Sequence, residues 1–187
     1  MTSASKKVIA IDVDNVLADT ADLFCKKATA KWKTTIKKEM IKHAKIVGSF
    51  RAVPEHIFEI QEEVWADWRN LSLLEPDASP LVNKLRDSGN KIIIATSRSQ
   101  TSIKYVHEWL QTHNIVFDEF RHFNYKESKS VLNADVLVDD DPIEIGDFVL
   151  KASYKRTGLL YDQPWNRSIL EFEGMVRIKS LKEIFQI

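Results

Sequence analysis

Three short apolar runs, each closed by oxygen-bearing residues, constrain this chain more than any other feature. Val8-Ile9-Ala10-Ile11 ends in Asp12-Val13-Asp14, Ile92-Ile93-Ile94-Ala95 ends in Thr96-Ser97-Arg98, and Val136-Leu137-Val138 ends in Asp139-Asp140-Asp141. A strand without polar alternation has no solvent face, so it must be covered on both sides, which is the condition of a parallel sheet between helices. Helical stripes lie between the runs: Leu81, Val82 and Leu85 before Gly89, then Ile103, Val106 and Leu110 before Asn114. Pro80 near the start of the first stripe and Ser88-Gly89 at its end are suitable helix punctuation. Strands alternating with helices predict an α/β fold with a central parallel sheet. Weaker strand signals fall at 117–120, 159–161 and 176–178.

The alternation breaks between the first and second runs. Residues 21–32 read as a helix, and 55–70 as another with Ile57, Ile60, Val64 and Trp68 on one face and Phe58 and Trp65 flanking it. The chain therefore divides into a core, residues 1–18 and 76–187, and a helical cap insertion, residues 19–75, placed over the edge of the sheet where open α/β folds hold ligands.

Several function classes are excluded early. Lys+Arg number 27 and Asp+Glu 27, so there is no cationic excess for a nucleic-acid polymer. Cys25 is the single cysteine, which rules out an internal disulfide, a Cys-rich zinc site and a CxxC pair, and suggests a reducing, cytoplasmic setting. The opening MTSASKK is polar and the apolar run after it is too short for a signal-peptide core or a membrane span. The five glycines match no phosphate-loop, dinucleotide or nucleophile-elbow spacing, and the five histidines share no paired metal-ligand spacing.

The chemistry concentrates at the three strand ends. Asp12 and Asp14, two apart on extended backbone, point the same way, and two close carboxylates repel unless a cation, a proton or donors separate them. A solvated turn is the bland alternative for a lone DxD. The Asp139-Asp140-Asp141 run would add charge at the same sheet edge, and oxygen-only ligands that meet a phosphate suit Mg²⁺. Its bland alternative is a turn at Asp141-Pro142. Thr96, Ser97 and Arg98 offer hydroxyls, N–H groups and a guanidinium suited to phosphate oxygens, and Lys129 offers an ammonium, though a lysine or arginine in isolation is more often simply solvated.

Taken in order, Asp12-x-Asp14-x-Val16, the run ending in Thr96, Lys129, and the run ending in Asp139-Asp140 resemble the four motifs of haloacid dehalogenase (HAD) superfamily phosphatases. DVDNVLAD, ATS and KSVLNADVLVDDDP resemble its 5′(3′)-deoxyribonucleotidase branch, and Leu160-Tyr161-Asp162-Gln163-Pro164-Trp165-Asn166 resembles a stretch of bacterial and archaeal nucleotidase-like members. The resemblance implies a HAD-like Rossmannoid three-layer sandwich with a small helical cap. It also implies Asp12 as nucleophile, Asp14 as general acid and base, Thr96, Ser97 and Lys129 as phosphate contacts, and Asp139 in support. Mg²⁺ would sit on Asp12, the Asp14 carbonyl and Asp140. Asn15 stands where that family usually carries glycine; Asn is the next most tolerant of left-handed backbone.

The expected substrate is a small phosphomonoester, a nucleoside monophosphate by resemblance, with a sugar phosphate or other small metabolite as the alternative and Trp65 as the aromatic that stacks on the base. Neither a membrane nor a nucleic-acid polymer is expected as partner, and the chain is expected as a monomer or homodimer. Two other classes share some of these residues: a receiver-like phosphoacceptor, in which the lysine would come last, and a catalytically silent binding module.

Overall fold

The computed structural model describes residues 6–124 and 126–187; the polar opening, 1–5, lies outside them. Six strands form one sheet: β1 (Val8–Ile11), β2 (Lys91–Thr96), β3 (Glu119–His122), β4 (Val136–Asp139), β5 (Thr157–Tyr161) and β6 (Met175–Ile178). Their order is β3-β2-β1-β4-β5-β6 and every pairing is parallel. The helices are α1 (Thr20–Trp32), α2 (Pro54–Ala66), α3 (Ala78–Asp87), α4 (Ile103–Thr112) and α5 (Pro142–Leu150).

The lack of polar alternation in the strands has the anticipated cause. Ile9, Ile11, Ile92, Ile94, Val136, Val138 and Leu159 face one layer, where they join Val82 and Leu85 of α3 and Val106, Trp109 and Leu110 of α4. Ala10, Ile93, Ala95, Leu137 and Leu160 face the other, against Ile145 and Phe148 of α5. The fold is thus the three-layer α/β arrangement expected of the HAD class, and the weak strand signals are real, with the 117–120 signal displaced to Glu119–His122. No helix among the described residues is long and apolar enough to cross a membrane.

Between β1 and α3 lie α1, α2 and short 3₁₀ turns, with no strand. The neck of this insertion is pinned by backbone: Asp19 N–H donates to Ser72 O at 3.0 Å and Leu74 N–H to Leu17 O at 2.7 Å. Its helices share one apolar cluster with the sheet, since Phe24, Ile57, Ile60, Val64 and Trp65 pack in the same core as Ile9 and Ile92.

The helix expected over 55–70 ends earlier, at Ala66, and Trp68 stands in a separate 3₁₀ turn. The expected face is still the buried one: Ile57, Ile60, Gln61, Val64 and Trp65 are the buried residues of α2, an i, i+3, i+4, i+7, i+8 set, with Trp65 at the edge of the stripe yet fully buried.

Strand β5 meets α5 closely at Gly158, where an added Cβ would lie 2.6 Å from Ile145 Cγ2 and 3.0 Å from Val149 Cγ2. Gly158→Ala is expected to lower stability by about 1–3 kcal/mol through overpacking. Gly146→Ala, in α5 with nothing within 4 Å of the new methyl, is expected to raise it by about 0.4–1 kcal/mol. Urea unfolding of the two variants beside the parent measures both signs.

Candidate active site

The sheet register assembles the site. Ile11 pairs with Val138, and Asp12 N–H donates to Val138 O at 2.9 Å, so the chain leaves β1 and β4 with Asp12 and Asp139 side by side. Strand order reverses direction between these strands, and a cleft forms beyond their carboxyl ends, as is general for open parallel sheets. Asn15 then turns the chain with φ 57°, and its Oδ1 accepts from Thr20 Oγ1 at 3.1 Å and Ala21 N–H at 2.9 Å. Asn15 therefore supplies both the left-handed turn and an anchor for the start of α1, which a glycine would lack.

Lys129 lies at the centre of the charge. Its Nζ is 2.6 Å from Asp12 Oδ1 and 2.6 Å from Asp139 Oδ2, and all three side chains are buried. Burial makes ions costly, and this ammonium stays charged because two carboxylates outweigh its desolvation and raise its pKa. Asp12 moves the other way from an ordinary ion-paired acid: burial, joined by repulsion from Asp139 and Asp14, pushes it up to about 8 despite Lys129. Burial and its acidic neighbours likewise raise Asp140 well above the carboxylate range.

The three consecutive acids have three different partners. Asp139 accepts from Lys129 and, through Oδ1, from Asp141 N–H at 2.9 Å. Asp141 accepts from Ile143 N–H at 2.9 Å as the N-cap of α5, with Pro142 as the first helical residue, so Asp141-Pro142 starts a helix rather than forming a turn. Asp140 completes a set with Asp12 and Asp139 in which one oxygen from each lies within 4.8 Å of the others. Three buried oxygen donors carrying excess negative charge fit a hard divalent cation.

Asp14 is held apart from that set. Its Oδ1 accepts from Trp65 Nε1–H at 3.1 Å and its Oδ2 lies 2.9 Å from Arg98 Nε. The placement of Trp65 corrects the expectation that it stacks on a base: its ring is fully buried and packs edge-on to Trp109 at 6.2 Å. The Asp14 carboxylate thus stands outside the set formed by Asp12, Asp139 and Asp140.

These residues border one cavity of about 740 Å³. Asp12, Asp14, Lys129, Asp139, Asp140, Ser97 and Arg98 line it at the sheet edge, and Ala44, Val47, Pro54 and Phe58 give it an apolar wall from the insertion. Thr96 sits just behind, fully buried, and its Oγ1 has no hydrogen-bond partner, so a hydroxyl is left over at the end of β2. Phe58, 43% exposed, is the flanking aromatic of α2 that meets the cavity. Glu62, also unforeseen, ties α2 to the loop after β2 by accepting from Ser99, Thr101 and Ser102 hydroxyls at 2.8–2.9 Å. Burial opposes its charge, yet those donors prevail and hold its pKa below the usual range.

Over residues 6–187 the chain matches the family described as 5′ nucleotidase, deoxy (Pyrimidine), cytosolic type C protein. It is 32% identical over 146 residues to a Staphylococcus epidermidis protein named "Putative 5′(3′)-deoxyribonucleotidase", covering 75% of this chain and 78% of that one. A Staphylococcus aureus protein of the same name is 29% identical over 187 residues, 97% of this chain and 95% of that one. Among solved structures, a dehalogenase aligns at TM-score 0.61 with 12% identity over 98% of this chain and 97% of that one. A HAD-superfamily hydrolase of Geobacter sulfurreducens aligns at TM-score 0.59 with 12% identity, over 97% and 95%.

Removing the central ammonium would leave Asp12 and Asp139 buried against each other without the donor they share. Lys129→Met is expected to cost about 3–5 kcal/mol at neutral pH without added metal. Lys31→Met, which breaks surface pairs with Glu59 and Glu63, is expected to leave the denaturation midpoint close to the parent's. Chemical denaturation of both variants checks the difference.

Proposed function

The chain belongs to the cytosolic type C 5′-nucleotidase family and is a HAD-type phosphatase, and on that premise we propose that it hydrolyses nucleoside monophosphates, deoxyribonucleotides foremost, through an aspartyl-phosphate with Mg²⁺. One observation carries this reading: Asp12 and Asp14 open on the same cavity, but Asp12 belongs to the cation-ready cluster and Asp14 is bonded away from it. Two carboxylates in different surroundings are what a nucleophile and a proton carrier need.

In the first step an Asp12 oxygen forms a bond to phosphorus while the bond from phosphorus to the ester oxygen breaks, and Asp14 gives that leaving oxygen a proton. In the second, a water oxygen attacks the same phosphorus, Asp14 takes the water's proton, and the Asp12–phosphorus bond breaks to free orthophosphate. Lys129 and the Thr96 and Ser97 hydroxyls would bind the equatorial oxygens, with Asp139 fixing Lys129 by its 2.6 Å contact. A divalent cation on Asp12, Asp140 and the Asp14 carbonyl would supply charge neutralisation for one anion approaching another.

The cavity wall bears on the substrate. Ala44, Val47, Pro54 and Phe58 offer an apolar surface, and the flat π-face of a nucleobase can lay more apolar area against it than the hydroxyl-fringed ring of a sugar phosphate. Residues 19–75 act in this reading as the cap that supplies specificity. A reducing, cytoplasmic setting accords with Cys25, a buried free thiol whose pKa burial pushes up to about 11.

Phosphate release from deoxyribonucleoside and ribonucleoside monophosphates, a sugar phosphate and phosphoglycolate tests the proposal. A deoxyribonucleoside monophosphate is expected to give the highest kcat/KM, and Asp12→Asn to abolish turnover while retaining the fold. A sugar phosphate as best substrate would overturn the nucleotidase reading, and substantial turnover by Asp12→Asn the nucleophile.

Metal binding should depend on pH with a definite sign. An acid whose folded pKa is raised holds a proton that the unfolded chain has released, so the metal-free protein loses stability as pH climbs from about 4 towards 8. Mg²⁺ must displace protons from Asp12, raised to about 8, and from Asp140, so it binds better as they leave. The rise in Tm caused by Mg²⁺ is expected to be larger at pH 8 than at pH 5.5; differential scanning fluorimetry at both values decides, and the reverse order contradicts the ligand set.

A further inference from the structure

Residues 161–166, which begin at the last residue of β5 and which the chemistry above does not use, connect the two acidic strand ends. Gln163 Nε2 donates to the Asn15 carbonyl at 2.7 Å, holding the turn that follows Asp14. Trp165 Nε1–H donates to Asp140 Oδ2 at 3.0 Å. Asn166 Nδ2 donates to the Asp140 carbonyl at 3.0 Å and to the Tyr161 carbonyl at 2.8 Å. Asn166 is fixed in turn, since its Oδ1 accepts from Gln163 N–H at 3.1 Å and Arg177 Nη1 at 2.7 Å. All three side chains, Gln163, Trp165 and Asn166, are buried.

One acid therefore has its carboxylate and its carbonyl held by neighbouring residues of a single segment. A carboxylate otherwise turns freely about its last bond, and an indole N–H is a donor only, so it always selects one oxygen and leaves the other to a different partner. Asp140 is also the residue of the triplet that neither contacts Lys129 nor caps a helix, which makes its orientation the most dependent on an outside donor.

We propose that 161–166 is a strap that sets the geometry of the cation site, with Trp165 the positioning residue for the Asp140 carboxylate. The inference rests on the metal reading given under Proposed function. Donors that orient ligating groups from behind commonly change metal affinity by about 10–100-fold when removed.

Calorimetric titration of Mg²⁺ into the metal-free full chain tests it. Trp165→Phe keeps an aromatic ring and removes the N–H, and is expected to raise the Mg²⁺ Kd by about 10–100-fold. Trp68→Phe is the matched control: Trp68 is buried to the same extent, 8% exposed for both, but its Nε1 has no partner, so its Kd should equal the parent's. An unchanged Kd in Trp165→Phe, or equal weakening in both variants, overturns the strap and leaves the phosphatase reading intact. Absence of Mg²⁺ binding by the parent overturns the metal reading and the strap together. Should Trp165→Phe not fold, assigned ¹⁵N spectra of the parent decide: Mg²⁺ is expected to shift the Trp165 indole resonance and not that of Trp68, and an unmoved Trp165 signal refutes the proposal.

Discussion

The buried ammonium of Lys129 between Asp12 and Asp139 is the contact on which the rest of this structure is arranged. A dry cluster of like charges is prohibitive, and its cost rises as the effective dielectric falls. One cation shared between two strand ends offsets that cost, and it can do so because β1 and β4 are neighbours in register. Lys129 comes to this position from a 3₁₀ turn whose backbone is tethered by Glu144, so the ammonium is delivered by fixed chain rather than by a mobile loop. The sheet topology, the turn at Asn15 and the cap at Asp141 are all conditions for bringing those three side chains together.

Helix α2 is the second organising element. Its inward face sends Trp65 to Asp14 and Glu62 to the hydroxyls after β2, while Phe58 meets the cavity. Residues at i, i+4 and i+7 thus serve apolar contact, loop anchoring and carboxylate orientation on a single rigid support. Precision of this kind is easier to hold on a helix than on a loop.

The strand ends were legible in the sequence because uninterrupted apolar runs leave little choice of environment, and the residues that close them must gather at one edge of a parallel sheet. The motif residues Asp12, Asp14, Ser97, Lys129, Asp139 and Asp140 accordingly border one cavity. Trp65 departs from its expected role for an equally physical reason: it lies at the edge of the buried stripe of α2, and contacts with Asp14 and Trp109, both remote in the sequence, close over its ring. Phe58, the other flanking aromatic, is the one left to meet the cavity. The contacts of Glu62 and Trp165 span 37 to 40 and 25 residues respectively, and no local pattern encodes such pairings.

The single apolar core shared by sheet and insertion has a consequence for traffic. Swinging residues 19–75 outward as one flap would strip Ile57, Ile60, Val64 and Trp65 from the core, at about 1.5–3 kcal/mol for each large side chain exposed, and would part Glu62 from three hydroxyls. The apolar wall that Ala44, Val47, Pro54 and Phe58 give the cavity is therefore held by the same packing that holds the fold, so loosening that wall and loosening the core are one event.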